Sequence, residues 1–581
     1  MGELFIDPFM DIPSLQLRLS PQYHSHNDDS NPTSIHVFMT ITTRPGRFTS
    51  TTPFLTLPLN RGPTETARYD GNAISACTSL GQALPLRYED EKDGADKIRK
   101  WYLDSTVLET DIIVEFVAFP RKTDKYTPTG PRIDLRTDVN GGLIGMGEGF
   151  IPVVPEESAN KPDNTSKEWN VGIEWDLQCS PPGTRCAWSF GDGPRQQHRG
   201  SLDETITHAI FAVGQLKRYP EWTSELHPQT KQREFAMYWF GQPFLDMTTL
   251  PPSTEVIFNA IASFFSSTKP FRVFLRQVHT IYGGTGATDS YLLEYSLPAK
   301  DEITDDSMAE LLAHETIHEY TVLEPAKSLP DGQEEPEETW YTEGIANYYA
   351  IIATFRGGAM SRRQLLKSLN GYAQAYYTSP TLHMDYGDAL RRSWENVHIT
   401  RLSYVRGFMY LVAEKARIEA ATKGSKSLDD VALQLYRRQL SNKSHSISDY
   451  RAVVADIYGK EEEAKNYSAM YRGDLIVPPS DCFADLGLKL VRRDAEKFEL
   501  GFDSRPMAQD HVIRNLVKGT RAHQAGVLEG DEVMESWMAW GAADHLDNMM
   551  RIKVKRGNEV KEITWWPRSF EKVESYVWVE A

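Results

Sequence analysis

The chain has 581 residues, beyond the length at which one hydrophobic core keeps growing, so about two to four domains are expected. Its 40% hydrophobic, 25% charged and 11% aromatic residues are those of an ordinary globular protein and exclude disorder as the main state. The 63 Lys and Arg against 81 Asp and Glu leave a net charge of −18, which phosphate backbones and anionic lipid repel, so neither nucleic acid nor a membrane is expected as a partner.

Along the chain, Met1 to Pro8 carries no Lys or Arg and no apolar run, so no secretory signal is expected, and no stretch of about 18 apolar residues follows. Four cysteines, Cys77, Cys179, Cys186 and Cys482, are too few for a disulfide framework. A cytoplasmic protein with reduced thiols is the expectation. Alternating apolar residues predict strands at Ser34 to Thr43, Asp111 to Phe119, Trp169 to Leu177, Thr207 to Val213 and Glu234 to Phe240, a β-sandwich-like first part. From Pro252 the period changes. Helices are predicted at Ser253 to Phe265, Asp305 to Val322, Thr339 to Phe355, Ser403 to Ala421 and Ser427 to Gln439, with one strand at Phe271 to Val278 and a polar loop at Leu323 to Glu338. After Pro478-Pro479 short strands return, ending in a hairpin signal around Arg556-Gly557-Asn558.

The helical pattern Asp305 to Val322 contains His314-Glu315-Thr316-Ile317-His318. Two imidazoles at i and i+4 lie on one helix face, close enough to bind one metal ion, while the intervening Glu315 can reach a metal-bound water without ligating the metal. A catalytic zinc with three protein ligands needs one more donor, and Trp340-Tyr341-Thr342-Glu343-Gly344-Ile345-Ala346-Asn347-Tyr348-Tyr349 supplies a carboxylate among core residues. A buried carboxylate needs a cation. His314, His318 and Glu343 are therefore the expected ligands of one zinc ion per chain, with Glu315 as general base.

The pair HETIH and WYTEGIANYY resembles the gluzincin metallopeptidases and, within them, the glycyl aminopeptidase family. Further likenesses are Glu174-Trp175-Asp176-Leu177, Ser403-Tyr404-Val405-Arg406-Gly407, and the run Gly519 to Val533 after Leu500-Gly501-Phe502. The resemblance implies a multidomain α+β protein: an N-terminal β-sandwich-like domain over residues 1–245, a mainly α thermolysin-like zinc domain over 246–478, and a PDZ-like domain over 479–581. It implies a zinc-dependent aminopeptidase that cleaves after small N-terminal residues, with Glu315 activating a zinc-bound water and Tyr404 donating to the oxyanion. It also places substrate along the glycine-rich stretch, at Gly286, Ala287 and Asp289, where the family has a Glu in place of Asp289. The partners expected are a peptide or small-molecule substrate and a peptide ligand of the PDZ-like domain. Two other readings stand beside it: a zinc hydrolase acting on a non-peptide amide or ester, and a catalytically idle PDZ scaffold.

Overall fold

The computed structural model describes residues 12–23, 31–94, 96–124, 127, 130–155, 168–222, 234–278, 283–296, 304–324, 338–393, 395–504, 511–537 and 539–581. Most of the expected loop at 323–338 lies outside the described residues. The chain is a multidomain mixed α/β protein whose contacts divide it into two compact units. The first holds Met1–Pro251 and Lys269–Lys300, the second Pro252–Thr268 and Asp301–Ala581.

In the first unit a seven-stranded sheet among the described residues is built around Pro32–Thr42, flanked by Ser14–Tyr23 and Asp111–Ala118. Period-two alternation sends Ile35, Val37, Met39 and Ile41 to one face, and the register sets them opposite Ala118, Phe116, Val114 and Ile112. That apolar face shares one core with Leu143, Trp188, Phe211 and Val213 of a five-stranded sheet. The strand expected from Thr207 starts later, at Ile210. Ser201 and Glu204 exchange backbone and side-chain hydrogen bonds, which wind Asp203–Thr207 into a π turn instead.

Phe271–Val278 is the centre of a third sheet, parallel to both Phe235–Phe240 and Ser290–Ser296. It is buried on both faces, as a central parallel strand is. Gly283–Ala287 returns antiparallel at the sheet's edge. Beside this sheet lies a buried ion network. Glu294 Oε1 stands 2.6 Å from Arg276 and 3.1 Å from Arg136, and its Oε2 stands 3.0 Å from Arg132. Asp134 Oδ2 stands 2.7 Å from Arg136 and 3.2 Å from Arg121, and its Oδ1 3.6 Å from Arg276.

The second unit is mainly helical: α1 (Leu250–Phe264), α2 (Asp305–Thr321), α3 (Thr339–Arg356), α4 (Arg362–Tyr377), α5 (Tyr386–Arg391), α6 (Val397–Thr422), α7 (Leu428–Leu440), α8 (Ile447–Tyr458) and α9 (Lys460–Arg472). Thr304 caps α2 through a reciprocal capping box with Ser307. Helices α3 and α6 cross backbone to backbone. A Cβ added to Gly344 would stand 2.5 Å from the carbonyl carbon of Gly407, and one added to Gly407 would stand 1.9 Å from the Trp340 oxygen. No described helix is long and apolar enough to cross a membrane.

Toward the C-terminus, Met550–Arg556 and Glu559–Trp565 form the expected hairpin, with Arg556 paired to Glu559 across Gly557-Asn558. Phe498, Phe502, Ile513, Val533, Ile552 and Trp565 enclose a core of their own. The last strand, Tyr576–Glu580, is fastened to α4, where the Asn370 side chain bonds both the nitrogen and the oxygen of Trp578 at 2.7 and 2.9 Å.

Candidate metal centre

Helix α2 carries His314 and His318 one turn apart on the same face, with ring centroids 4.7 Å apart and Nε2 atoms 3.1 Å apart. Glu343, in the first turns of α3, brings Oε2 to 3.2 Å from Nε2 of His314 and 3.8 Å from Nε2 of His318. Among the described residues this is the group of histidines and acids whose donor atoms converge within 4.8 Å of one another. A tetrahedral zinc ion with ligands at about 2.0–2.2 Å holds its donors roughly 3.3–3.6 Å apart, and the three separations, 3.1, 3.2 and 3.8 Å, bracket that spacing closely.

The electrostatics ask for a cation. Burial opposes the charged form of His314, yet the adjoining Glu343 and Glu315 raise its pKa. Burial and the neighbouring imidazole lower that of His318. Burial resists ionisation of Glu343, and the two histidines overcome it and hold the carboxyl below the usual range. Even so, Glu343 Oε2 is buried without a hydrogen bond. A buried carboxylate oxygen with no donor, facing two imidazole nitrogens, fits a metal ion of the zinc type.

The sequence reading missed a support behind the ligands. Asn347, four residues after Glu343 and so on the same face of α3, meets Nδ1 of His314 at 2.8 Å through its Oδ1. The Tyr372 hydroxyl donates to the same Oδ1 at 2.8 Å, and the Asn347 amide donates to the Tyr404 carbonyl at 3.4 Å. The oxygen fixes Nδ1 as the protonated ring nitrogen, leaving the Nε2 lone pair for a metal. The signal was the i, i+4 spacing of Glu343 and Asn347 inside a motif already singled out.

Tyr404, on α6, lies nearly parallel to the His314 ring with centroids 6.1 Å apart. Burial, with the Glu343 and Glu315 carboxylates beside it, pushes its phenol far up, so the hydroxyl stays protonated. Glu315 is half-buried between the two histidines. Arg406 faces elsewhere. It is fully buried and donates to the Leu382 and Met384 carbonyls at 2.8 and 2.7 Å.

Thus the structure brings His314, Glu315, His318, Glu343 and Tyr404 together. Gly286, Ala287 and Asp289 belong to the first unit. Asp289 sits in the turn after Gly283–Ala287 with φ +48° and is ion-paired with Lys269 at 3.3 Å.

Residues 307–404, which contain all five of the assembled side chains, match the model of the M61 glycyl aminopeptidase family. Over this segment the chain is similar to the glycyl aminopeptidases. A likeness in fold extends over nearly the whole molecule. An aminopeptidase N family protein from Idiomarina loihiensis superposes with a TM-score of 0.59 at 14% identity, covering 98% of each chain. An M1 zinc metallopeptidase from Deinococcus radiodurans is similar at 13% identity over 81% of this chain and 95% of its own, with a TM-score of 0.45. No curated protein matches the chain in sequence.

Proposed function

We propose that the protein is a zinc-dependent aminopeptidase hydrolysing peptide bonds after small N-terminal residues. The observation that carries this is the convergence of His314, His318 and Glu343 on one point within a segment that matches a glycyl aminopeptidase family. Zinc bound there would polarise the substrate carbonyl and acidify water. The chain's own side chains supply the rest. Glu315 takes a proton from the attacking water and returns it to the leaving amine. The Tyr404 hydroxyl, kept protonated by its buried, anionic surroundings, donates to the developing oxyanion. Asn347 holds His314 in the tautomer that a metal needs. Residues 479–581, with their separate core, are read as a PDZ-like module that offers a site for a peptide ligand.

Recognition of the free amine is assigned to the stretch Gly286, Ala287 and Asp289. Gly286 has open space where a side chain would stand, so a ligand's backbone can approach it. One observation favours a second reading, a zinc hydrolase of non-peptide amides or esters: the Asp289 carboxylate is already matched by Lys269.

Glu315→Gln tests the mechanism. The amide should keep about one zinc per chain and cost about 10² to 10⁴ in kcat, measured on glycyl and alanyl p-nitroanilides alongside N-blocked amides and esters. Near wild-type turnover with zinc bound would exclude Glu315 as the base. Preference for the blocked substrates would transfer the site to the second reading.

A further inference from the structure

An ion pair links the C-terminal segment to the surroundings of the site. Arg401 stands three residues before Tyr404 on α6 and presents its guanidinium 6.0 Å from the Tyr404 ring centroid and 5.7 Å from that of Tyr372. One cation therefore stands within cation–π range of both the proposed oxyanion donor and the tyrosine whose hydroxyl bonds Asn347 behind His314. Arg401 is 13% exposed, and its counter-ion is Asp544, at the end of the short helix Ala539–Asp544, more than 140 positions away in sequence.

Asp544 is held in place from both sides. Gln374 of α4 accepts from the Leu546 nitrogen at 3.2 Å. The fully buried Arg568 donates to the Ala542 oxygen at 2.5 Å and to the His545 oxygen at 3.4 Å, tying down the end of the helix. Gly371 leaves the close approach that this docking requires, since a Cβ there would stand 3.3 Å from the His545 ring. A competing carboxylate is near. Glu310, one turn before His314, lies within the fields of both Arg401 and Asp544, and burial followed by Asp544 raises its pKa. Without Asp544, the Arg401 charge would be drawn from the two rings toward Glu310.

We propose that Asp544 is a positioning residue for the reaction: by pairing with Arg401 it holds the guanidinium against Tyr404 and Tyr372 and so fixes the Tyr404 hydroxyl, making the C-terminal segment part of the catalytic unit. This rests on Tyr404 being the oxyanion donor. Misplacing a catalytic group by about 1 Å costs up to 10²-fold, so the loss of an indirect support should be smaller.

The test uses the full-length, zinc-loaded enzyme and glycyl p-nitroanilide. Asp544→Asn should lower kcat about tenfold with KM changed less than about twofold and zinc content intact, and Asp544→Glu should recover most of the loss. In a Tyr404→Phe background, Asp544→Asn should have no further effect, because both changes act through one hydroxyl. Gly371→Ala, which disturbs the docking without touching either charge, should lower kcat in the same direction. An unchanged kcat for Asp544→Asn, a loss that multiplies with that of Tyr404→Phe, or a loss accompanied by departure of zinc would each overturn the proposal. The Tyr404→Phe enzyme alone tests the assignment beneath it: unchanged kcat there would remove Tyr404 as donor, whatever Asp544 does.

Discussion

Two buried polar clusters in this molecule obey opposite rules. Around Asp134 and Glu294, each carboxylate oxygen faces an arginine, so both negative charges are matched by cations of the chain itself. Around Glu343, three electron-pair donors face one another across 3.1 to 3.8 Å, an arrangement that a proton or a bound metal ion must relieve. The lesson is that burial of charge does not mark function. What marks it is a set of metal-ligating atoms with no arginine or lysine of the chain to match it.

This contrast can be broken by exchanging the consequences of substitution. The largest effect is expected for Glu343→Ala, which should reduce zinc from about one per chain to a small fraction while leaving the metal-free fold as stable as before. Metal analysis with thermal unfolding of the apo-protein checks both halves. Retained zinc would end the ligand assignment, and a collapsed fold would make Glu343 structural. Glu294→Gln should do the reverse, keeping zinc but losing ~3 kcal/mol of stability in denaturant titration, since three arginines lose a counter-ion inside the protein. Asn347→Ala sharpens the metal side: zinc affinity, read by competition with a chelator, should fall about 10- to 100-fold as His314 loses its support. The smallest effect concerns His398, whose ring lies 4.5 Å from that of Phe498. Burial, and then the Arg568 charge, hold its pKa at about 4. Its folded pKa is below its unfolded value, so the stability it contributes is present above about pH 6.5 and is lost as pH falls toward 4. Unfolding midpoints between pH 7.5 and 4.5 should drop less for His398→Phe than for the natural chain, by about 1–2 kcal/mol. Parallel pH curves would show that the imidazole is solvated.

Much of this was legible in the residues. The helix with the two histidines was expected over Asp305 to Val322 and runs from Asp305 to Thr321, where a capping box starts it and no Gly or Pro interrupts it. The strand Phe271–Val278 was legible from its apolar residues Phe271, Val273, Phe274, Leu275 and Val278. Helices α4, α8 and α9 were not read, although Ser361 and Ser446 head capping boxes and all three carry an apolar face. The site divides in the same way. Residues joined by local spacing, His314 with His318 and Glu343 with Asn347, leave a trace in one dimension. Tyr372, Arg401 and Asp544 meet only through tertiary packing, and no periodicity in a single chain records which distant arginine an aspartate will face.

The bare crossing of α3 over α6 has a bearing on motion. With Gly344 and Gly407 in backbone contact, neither helix has side chains there to act as a bearing surface, and any sliding or rolling would drive peptide groups into each other. The carboxylate of Glu343 and the hydroxyl of Tyr404 are therefore mounted on one rigid block whose internal spacing stays constant through a catalytic cycle. Whatever opens to admit substrate and shuts to expel solvent must be a part that moves relative to this block, and enzymes arrested in different stages of turnover should superpose most closely on Trp340–Asn347 and Ser403–Phe408.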